Sequence, residues 1–350
     1  MAMVDLAIDK NWDRPFFSAV YFAVCAGLLL SIATLNFVVD PFELYGTKLF
    51  LPLEFNRYDK KIELYRALDN SPQALILGSS CTESFDPELV FNLTGKRCFN
   101  FAQPAARPET LLADLKLALS ENKVPVDSVI VGVEPLFFHP KTPVHPQAEF
   151  SESLRPFLKD RSILKFMIGK VERLISIEQL SASYDVLKRE RSGTKEPDVI
   201  SYRNDGFAVY PRRETELAEG KLDLGEIIEK RALRYPDQIF QISTFTGLSP
   251  ERTETFREFV DLCRDNGIKM YVFMPPVHPC LWDSLKARGA EPIYKETARF
   301  LSSVVTESGG VFRDYTHIES FDGSPNEFHD VVHMTKSNCD LLLRNLLSGQ

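Results

Sequence analysis

Apolar residues in this chain recur in runs of distinct kinds, and each kind predicts a different element. The longest run carries no charge: from Pro15 to Val39 there is no Asp, Glu, Lys or Arg. A helix of that length, at about 1.5 Å per residue, exceeds the roughly 30 Å hydrocarbon core of a bilayer. Other runs are short, continuous and bounded by turn residues, as buried parallel strands require: Ala74-Leu75-Ile76-Leu77, Arg97-Cys98-Phe99-Asn100-Phe101-Ala102, Ser128 to Val133, Ile268 to Met274 and Gly310 to Asp314. Between them lie stretches of helical character at Lys60 to Leu68, Glu109 to Glu121, Pro250 to Asn266, roughly Asp283 to Glu307, and one that starts near Thr335, a candidate N-cap. Strands alternating with helices at this spacing predict right-handed βαβ units, hence an α/β fold of three layers around a doubly wound, mostly parallel sheet.

From these patterns the chain divides into an N-terminal segment 1–14, a transmembrane helix 15–39, a juxtamembrane linker and helix 40–73, and an α/β domain 74–350. The rhythm breaks at about 140–245, where charged helical sequence runs without a strong strand until the short apolar pair Val199-Ile200; this reads as a helical insertion, a candidate cap over a site. A cleaved signal peptide competes with the anchor, but the apolar run exceeds the roughly 7–15 residues of an h-region, and no small-x-small site follows at Val38-Val39-Asp40-Pro41. Lys10 and Arg14 precede the span and only Lys48 follows closely, so the expected orientation puts the N-terminus in the cytoplasm and the domain outside it.

Charge and cysteine content narrow the functional classes. A formal net charge of −8, with no basic stripe interleaved with aromatics, argues against nucleic acid as a partner. Six cysteines include one in the span, Cys25, and an odd number outside it, with no C-x-x-C pair; zinc-ribbon and thioredoxin-like chemistry find no support, and room remains for one disulfide bridge. No cofactor and no metal is expected.

In open α/β sheets ligands gather at the carboxyl ends of the strands. Gly78-Ser79-Ser80-Cys81 follows the first strand there and would expose a hydroxyl, although Gly-Ser-Ser is also ordinary turn and N-cap vocabulary. Phe328-His329-Asp330-Val331-Val332-His333-Met334 precedes the last helix, and a short turn would bring the Asp330 carboxylate to His333, fixing its tautomer and leaving the other ring nitrogen for a serine.

Gly78-Ser79-Ser80 after the first strand and Asp330-x-x-His333 before the last helix resemble the SGNH/GDSL hydrolase superfamily, whose sheet is flavodoxin-like. With the single span leading through Asp40-Pro41-Phe42, the chain is similar to bacterial membrane-anchored SGNH-like proteins of cell-surface polysaccharide O-acylation. The resemblance covers about Asp40 to the C-terminus apart from the insertion. It implies Ser80 as nucleophile, His333 as general base and Asp330 as the orienting acid, with Ser79 in place of the family's Asp. The second block implies Ala102 and Gln103 as oxyanion donors. The third block, Gly132-Val133-Glu134-Pro135, departs from the family's Gly-x-Asn-Asp, because an ionised Glu134 accepts hydrogen bonds and cannot donate to an oxyanion; a post-strand acid paired with a lysine or arginine is the plainer reading. Arg107 after the second strand and Glu134 after the third are candidate substrate contacts, with a surface arginine the simpler account of Arg107, and His278 after Pro275-Pro276 is a reserve candidate.

The resulting expectation is a serine esterase or O-acyltransferase in a bacterial cytoplasmic membrane, its domain in the periplasm or extracytoplasmic space, acting on a polysaccharide or other acylated substrate, with a membrane acyl-donor protein as a further partner. The alternative is an inactive SGNH-fold protein that binds a glycan or an assembly partner. Activity is expected to fall at acid pH near the reference histidine pKa of about 6.5.

Overall fold

The computed structural model describes residues 14–159, 162–193 and 200–348. The segment 1–13, expected in the cytoplasm, and Val199 of the apolar pair lie outside the described residues. The chain forms two compact units, one from residues 1–55 with 162–195 and the other from 56–161 with 196–350.

In the first unit the apolar run is one helix, Arg14–Val39, and Phe16–Val39 has a mean hydropathy of 2.2, long and apolar enough to cross a membrane. The helices Ile163–Leu174 and Ile177–Ser192 pack against it. The contact is tied by a buried amide: Asn36 donates to the Leu174 carbonyl at 2.7 Å and accepts from the Ser183 hydroxyl at 2.8 Å. A polar group in an apolar helix is stable only when satisfied in this way. Beyond the helix, the Asp40 carboxylate accepts the N–H groups of Leu44, Tyr45 and Gly46 at 2.8, 3.0 and 2.8 Å, folding the Asp-Pro-Phe stretch into a tight turn. The 140–245 insertion is therefore not one cap. Its middle belongs with the N-terminal helix.

The second unit is built on strands β1 (Ala74–Gly78), β2 (Cys98–Asn100), β3 (Ser128–Gly132), β6 (Lys269–Met274) and β7 (Val311–Asp314), ordered β2-β1-β3-β6-β7 and parallel at every pairing. The remaining strands, β4 (Ser201–Tyr202) and β5 (Ala208–Val209), make a small antiparallel hairpin. Alternate side chains of the large sheet enter different cores. Leu75, Leu77, Val129, Val131 and Val272 pack with residues of the helices Arg57–Arg66, Pro108–Glu121, Pro250–Asp265 and Glu291–Glu307. Ile76, Ile130, Tyr271 and Phe273 pack with residues of the helices Pro87–Thr94 and Lys336–Leu347. Both faces of β1, β2, β3 and most of β6 are thus covered, which is why those strands read as continuous apolar runs, whereas the edge strand β7 has no buried residue; each fully buried large side chain contributes roughly 1.5–3 kcal/mol.

The expected helix from Asp283 to Glu307 is two helices, Pro279–Ala287 and Glu291–Glu307. Gly289, at φ +76°, turns the chain between them, and Pro292 starts the second, a break that residues Gly289 and Pro292 announce. All six cysteines are free thiols, so the structure holds no disulfide bridge.

Candidate functional site

The carboxyl end of β1 is unusually tight. Gly78 has φ +142°, and a Cβ there would lie 2.5 Å from the Thr82 hydroxyl and 2.8 Å from the Gly132 carbonyl of β3. Only glycine fits, and the chain turns at once into the short 3-10 segment Ser80–Thr82. Ser79 caps that segment, its hydroxyl accepting from the Cys81 N–H at 3.2 Å, while Ser79 itself is buried. Ser80 is left partly exposed at the mouth of the turn.

Asn100 at the end of β2 braces this turn from beneath. Its amide nitrogen donates to the carbonyls of Thr82, Glu83 and Phe85 at 2.9, 3.2 and 2.9 Å. The fully buried Lys61 ammonium in turn donates to the Asn100 carbonyl at 2.9 Å and to the Gly206 carbonyl at 2.8 Å, and burial draws its pKa down to about 7. Glu83 is buried as well, accepting from the Arg57 guanidinium, from the Tyr202 hydroxyl at 2.9 Å and from the Tyr210 hydroxyl at 3.3 Å.

The second half of the site is the loop before the last helix, closed by a bridge between Phe328 and Met334 and by the His329 N–H donating to the His333 carbonyl at 2.7 Å. Within that closure one oxygen of Asp330 accepts the N–H groups of Val332 and His333, both at 2.9 Å, and the other lies 2.8 Å from His333 Nδ1. His333 Nε2 is 2.8 Å from Ser80 Oγ. Burial opposes charge on both partners. The His333 charge and hydrogen bond, joined by the two backbone N–H groups, nevertheless hold Asp330 well below the usual carboxylate range. Burial alone would pull His333 down, but the Asp330 charge and hydrogen bond outweigh it and raise His333 above its ordinary value.

No protein-family model and no curated protein matches this chain. The chemistry of the site therefore rests on its geometry.

Ser80, His333 and Asp330 converge; the other candidates do not all join them. Ala102 and Gln103 are corrected as oxyanion donors: the Ala102 N–H donates to Asn100 Oδ1 at 2.9 Å, the Gln103 N–H to the Gly78 carbonyl at 3.0 Å, and both residues are fully buried. The Ser80 N–H, by contrast, meets no acceptor among the described residues. Arg107 is neither on the surface nor open to a substrate. It is 4% exposed, with Nη1 donating to the Ala106 carbonyl at 2.8 Å. His278 is buried and structural, capping the Pro279–Ala287 helix by accepting the Cys280 N–H at 3.2 Å. Glu134 alone of this group lies at the site, partly exposed, its carboxylate 3.6 Å from Cys81 Sγ and close enough for its charge to favour protonated His333. No direct ion pair to it is seen among the described residues, but its charge acts on the buried Arg107 guanidinium, in keeping with the plainer reading of an acid near an arginine. Among the described residues no group of three or more His, Cys, Asp or Glu side chains is placed to hold a metal ion.

Sequence reasoning missed Arg231. From the helix Leu224–Gln238 its guanidinium bonds the same Asp330 oxygen that faces His333, and donates to the Tyr235 hydroxyl at 3.3 Å. Nothing in the local sequence marks it, since it is one of several arginines in charged helical sequence. Asn100 carried a readable signal, a polar residue inside the apolar run of β2.

Proposed function

We propose that this chain is a membrane-anchored serine esterase or O-acyltransferase of SGNH type that acts on an envelope or exported polysaccharide. The observation that carries the reading is the continuous relay from Ser80 Oγ through His333 to Asp330. In the reaction the Ser80 proton passes to His333 Nε2 as Oγ bonds the acyl carbon, and the tetrahedral oxyanion meets the Ser80 N–H. Collapse breaks the ester C–O bond, and the departing alkoxide takes the proton from His333. An acceptor hydroxyl or water then gives its proton to His333 as it bonds the acyl carbon, and the acyl–Oγ bond breaks as Ser80 takes that proton back from His333. Asp330 holds the imidazole tautomer and balances its transient charge.

A fluorophosphonate probe tests the reading. It should label the protein at Ser80, with label lost in His333→Ala; a folded protein that takes no label would sink it. One observation favours a second reading, a glycan-binding protein without turnover: Glu134 stands beside the relay, and the N–H groups of Ala102 and Gln103 are already engaged.

The raised pKa of His333 sets the direction of the pH response. Catalysis needs the neutral imidazole, which is lost as pH falls through the folded-state value. The acid limb of kcat/KM on an activated acetyl ester is therefore expected to have its midpoint above about 6.5. A midpoint below about 6 would contradict the Asp330–His333 pairing.

Support for a membrane location comes from the first unit by itself. Along Ile163–Leu174 and just beyond it, Leu164, Met167, Ile168, Val171 and Ile175 are exposed at three- and four-residue spacing, on a helix already packed on the apolar span. Such a stripe fits the boundary between headgroups and acyl chains. In liposomes, maleimide should label Met167→Cys at least about fivefold more slowly than Glu172→Cys, both made with exposed Cys280 changed to serine. Equal rates would remove this helix from the interface.

A further inference from the structure

The Asp330 carboxylate is oversubscribed. One oxygen already accepts two backbone N–H groups, and the other is shared between His333 Nδ1 and the Arg231 guanidinium. In a serine relay the aspartate serves to balance charge on the imidazole, and a guanidinium on the same oxygen works against that. Arg231 is not a buried structural partner, for its side chain is 39% exposed while that of Asp330 is 2% exposed. Arg213, from the neighbouring helix Pro211–Ala218, lies close enough for its charge to interact with both Asp330 and Arg231. Its Nε and Nη2 are shielded from solvent and have no hydrogen-bond partner among the described residues. Leaving a charged donor so placed is costly unless something else satisfies it. Two guanidiniums thus face one carboxylate that the relay already uses.

We propose that Arg231 and Arg213 form a receptor for an oxyanion on the acceptor, a carboxylate or phosphate borne by the glycan. The receptor deepens the acyl-transfer reading and rests on it. An incoming oxyanion gives Arg231 a bidentate partner and supplies the missing acceptor for Arg213. Arg231 then leaves Asp330, whose oxygen turns wholly to His333, so the arriving acceptor strengthens the base that must deprotonate it. Other charged or titratable groups among the described residues around His333 and Asp330 are Cys81 and Glu83 after β1, Glu134 after β3, Tyr210 beside the hairpin, Tyr235 next to Arg231, and Glu327 and His329 on their own loop. His329 is pushed down to about 4 by burial, so it stays neutral while His333 titrates.

The experiment uses the full chain in detergent with Ser80→Ala, so that binding is read without turnover. A hexuronate trisaccharide, a hexose phosphate and a neutral trisaccharide are titrated by calorimetry. At least one anionic ligand is expected to bind about tenfold or more tightly than the neutral one, and which one does identifies the oxyanion. That preference should be lost in Arg231→Gln and in Arg213→Gln, and only partly kept in Arg231→Lys, which retains the charge but not the bidentate fork. The His333 ring signals should titrate about half a unit or more higher in Arg231→Gln than in the parent. Equal binding of charged and neutral ligands, or an unchanged preference in both glutamine variants, would overturn the receptor. An anion preference in Ser80→Ala, together with no fluorophosphonate label on the protein that retains Ser80, would keep the receptor and discard the transferase.

Discussion

Ser80→Ala and His333→Ala are each expected to lower turnover of an activated acetyl ester by roughly four to six orders of magnitude, while the protein stays folded. The size follows from how the relay works. Serine is a weak nucleophile at neutral pH, and its hydroxyl becomes reactive only as Nε2, 2.8 Å away, removes the proton. Loss of either member removes the whole pathway, so the double variant should be no slower than the worse single one. Additive losses would mean that the two side chains act apart. Asp330→Asn should follow at about 10⁴-fold, because an amide facing Nδ1 favours the wrong tautomer. Steady-state rates of the four variants settle these points, with circular dichroism as the check on folding.

Gly78→Ala should be strongly destabilising. The added methyl meets the Thr82 hydroxyl at 2.5 Å and the Gly132 carbonyl at 2.8 Å, from a backbone at φ +142°. Strain of about 1–3 kcal/mol and overpacking of about 1–3 kcal/mol together give roughly 2–6 kcal/mol of lost stability. Gly95→Ala is the control. It also has positive φ, at +72°, but nothing lies within 4 Å of the new atom, so it should cost only about 1–2 kcal/mol. Chemical denaturation of both variants reads the difference, and equal losses would show that the crowding at the end of β1 is not what makes Gly78 necessary.

The parallel sheet was legible because its inner strands are buried on both faces, as the run from Ala74 to Leu77 is. The loop from Phe328 to Met334 was legible for a different reason: Asp330 and His333 are close in sequence, so a tight turn suffices to join them. What sequence could not supply was any quantity that depends on a distant partner. Whether the Ala102 N–H is free depends on where the Asn100 amide points, and that is decided by carbonyls on the turn after β1. Arg107 lies after a strand, as substrate contacts often do, yet packing buries it. Arg231 reaches Asp330 only because its helix folds back over the last loop. The insertion split between two units because Asn36 finds Leu174 and Ser183, contacts that no local pattern foretells. The break at Gly289 and Pro292, by contrast, was written in the residues.

Ser80 and His333 are separated by 253 positions along the chain. During synthesis the serine turn leaves the ribosome long before its imidazole is made, and the intervening strands must all be laid down first. On the acyl-transfer reading, a growing or truncated polypeptide carries an inert hydroxyl, and reactivity switches on only when the final loop docks. Labelling at Ser80 would report completion of folding as much as chemistry, and a chain stalled a few dozen residues short would be silent.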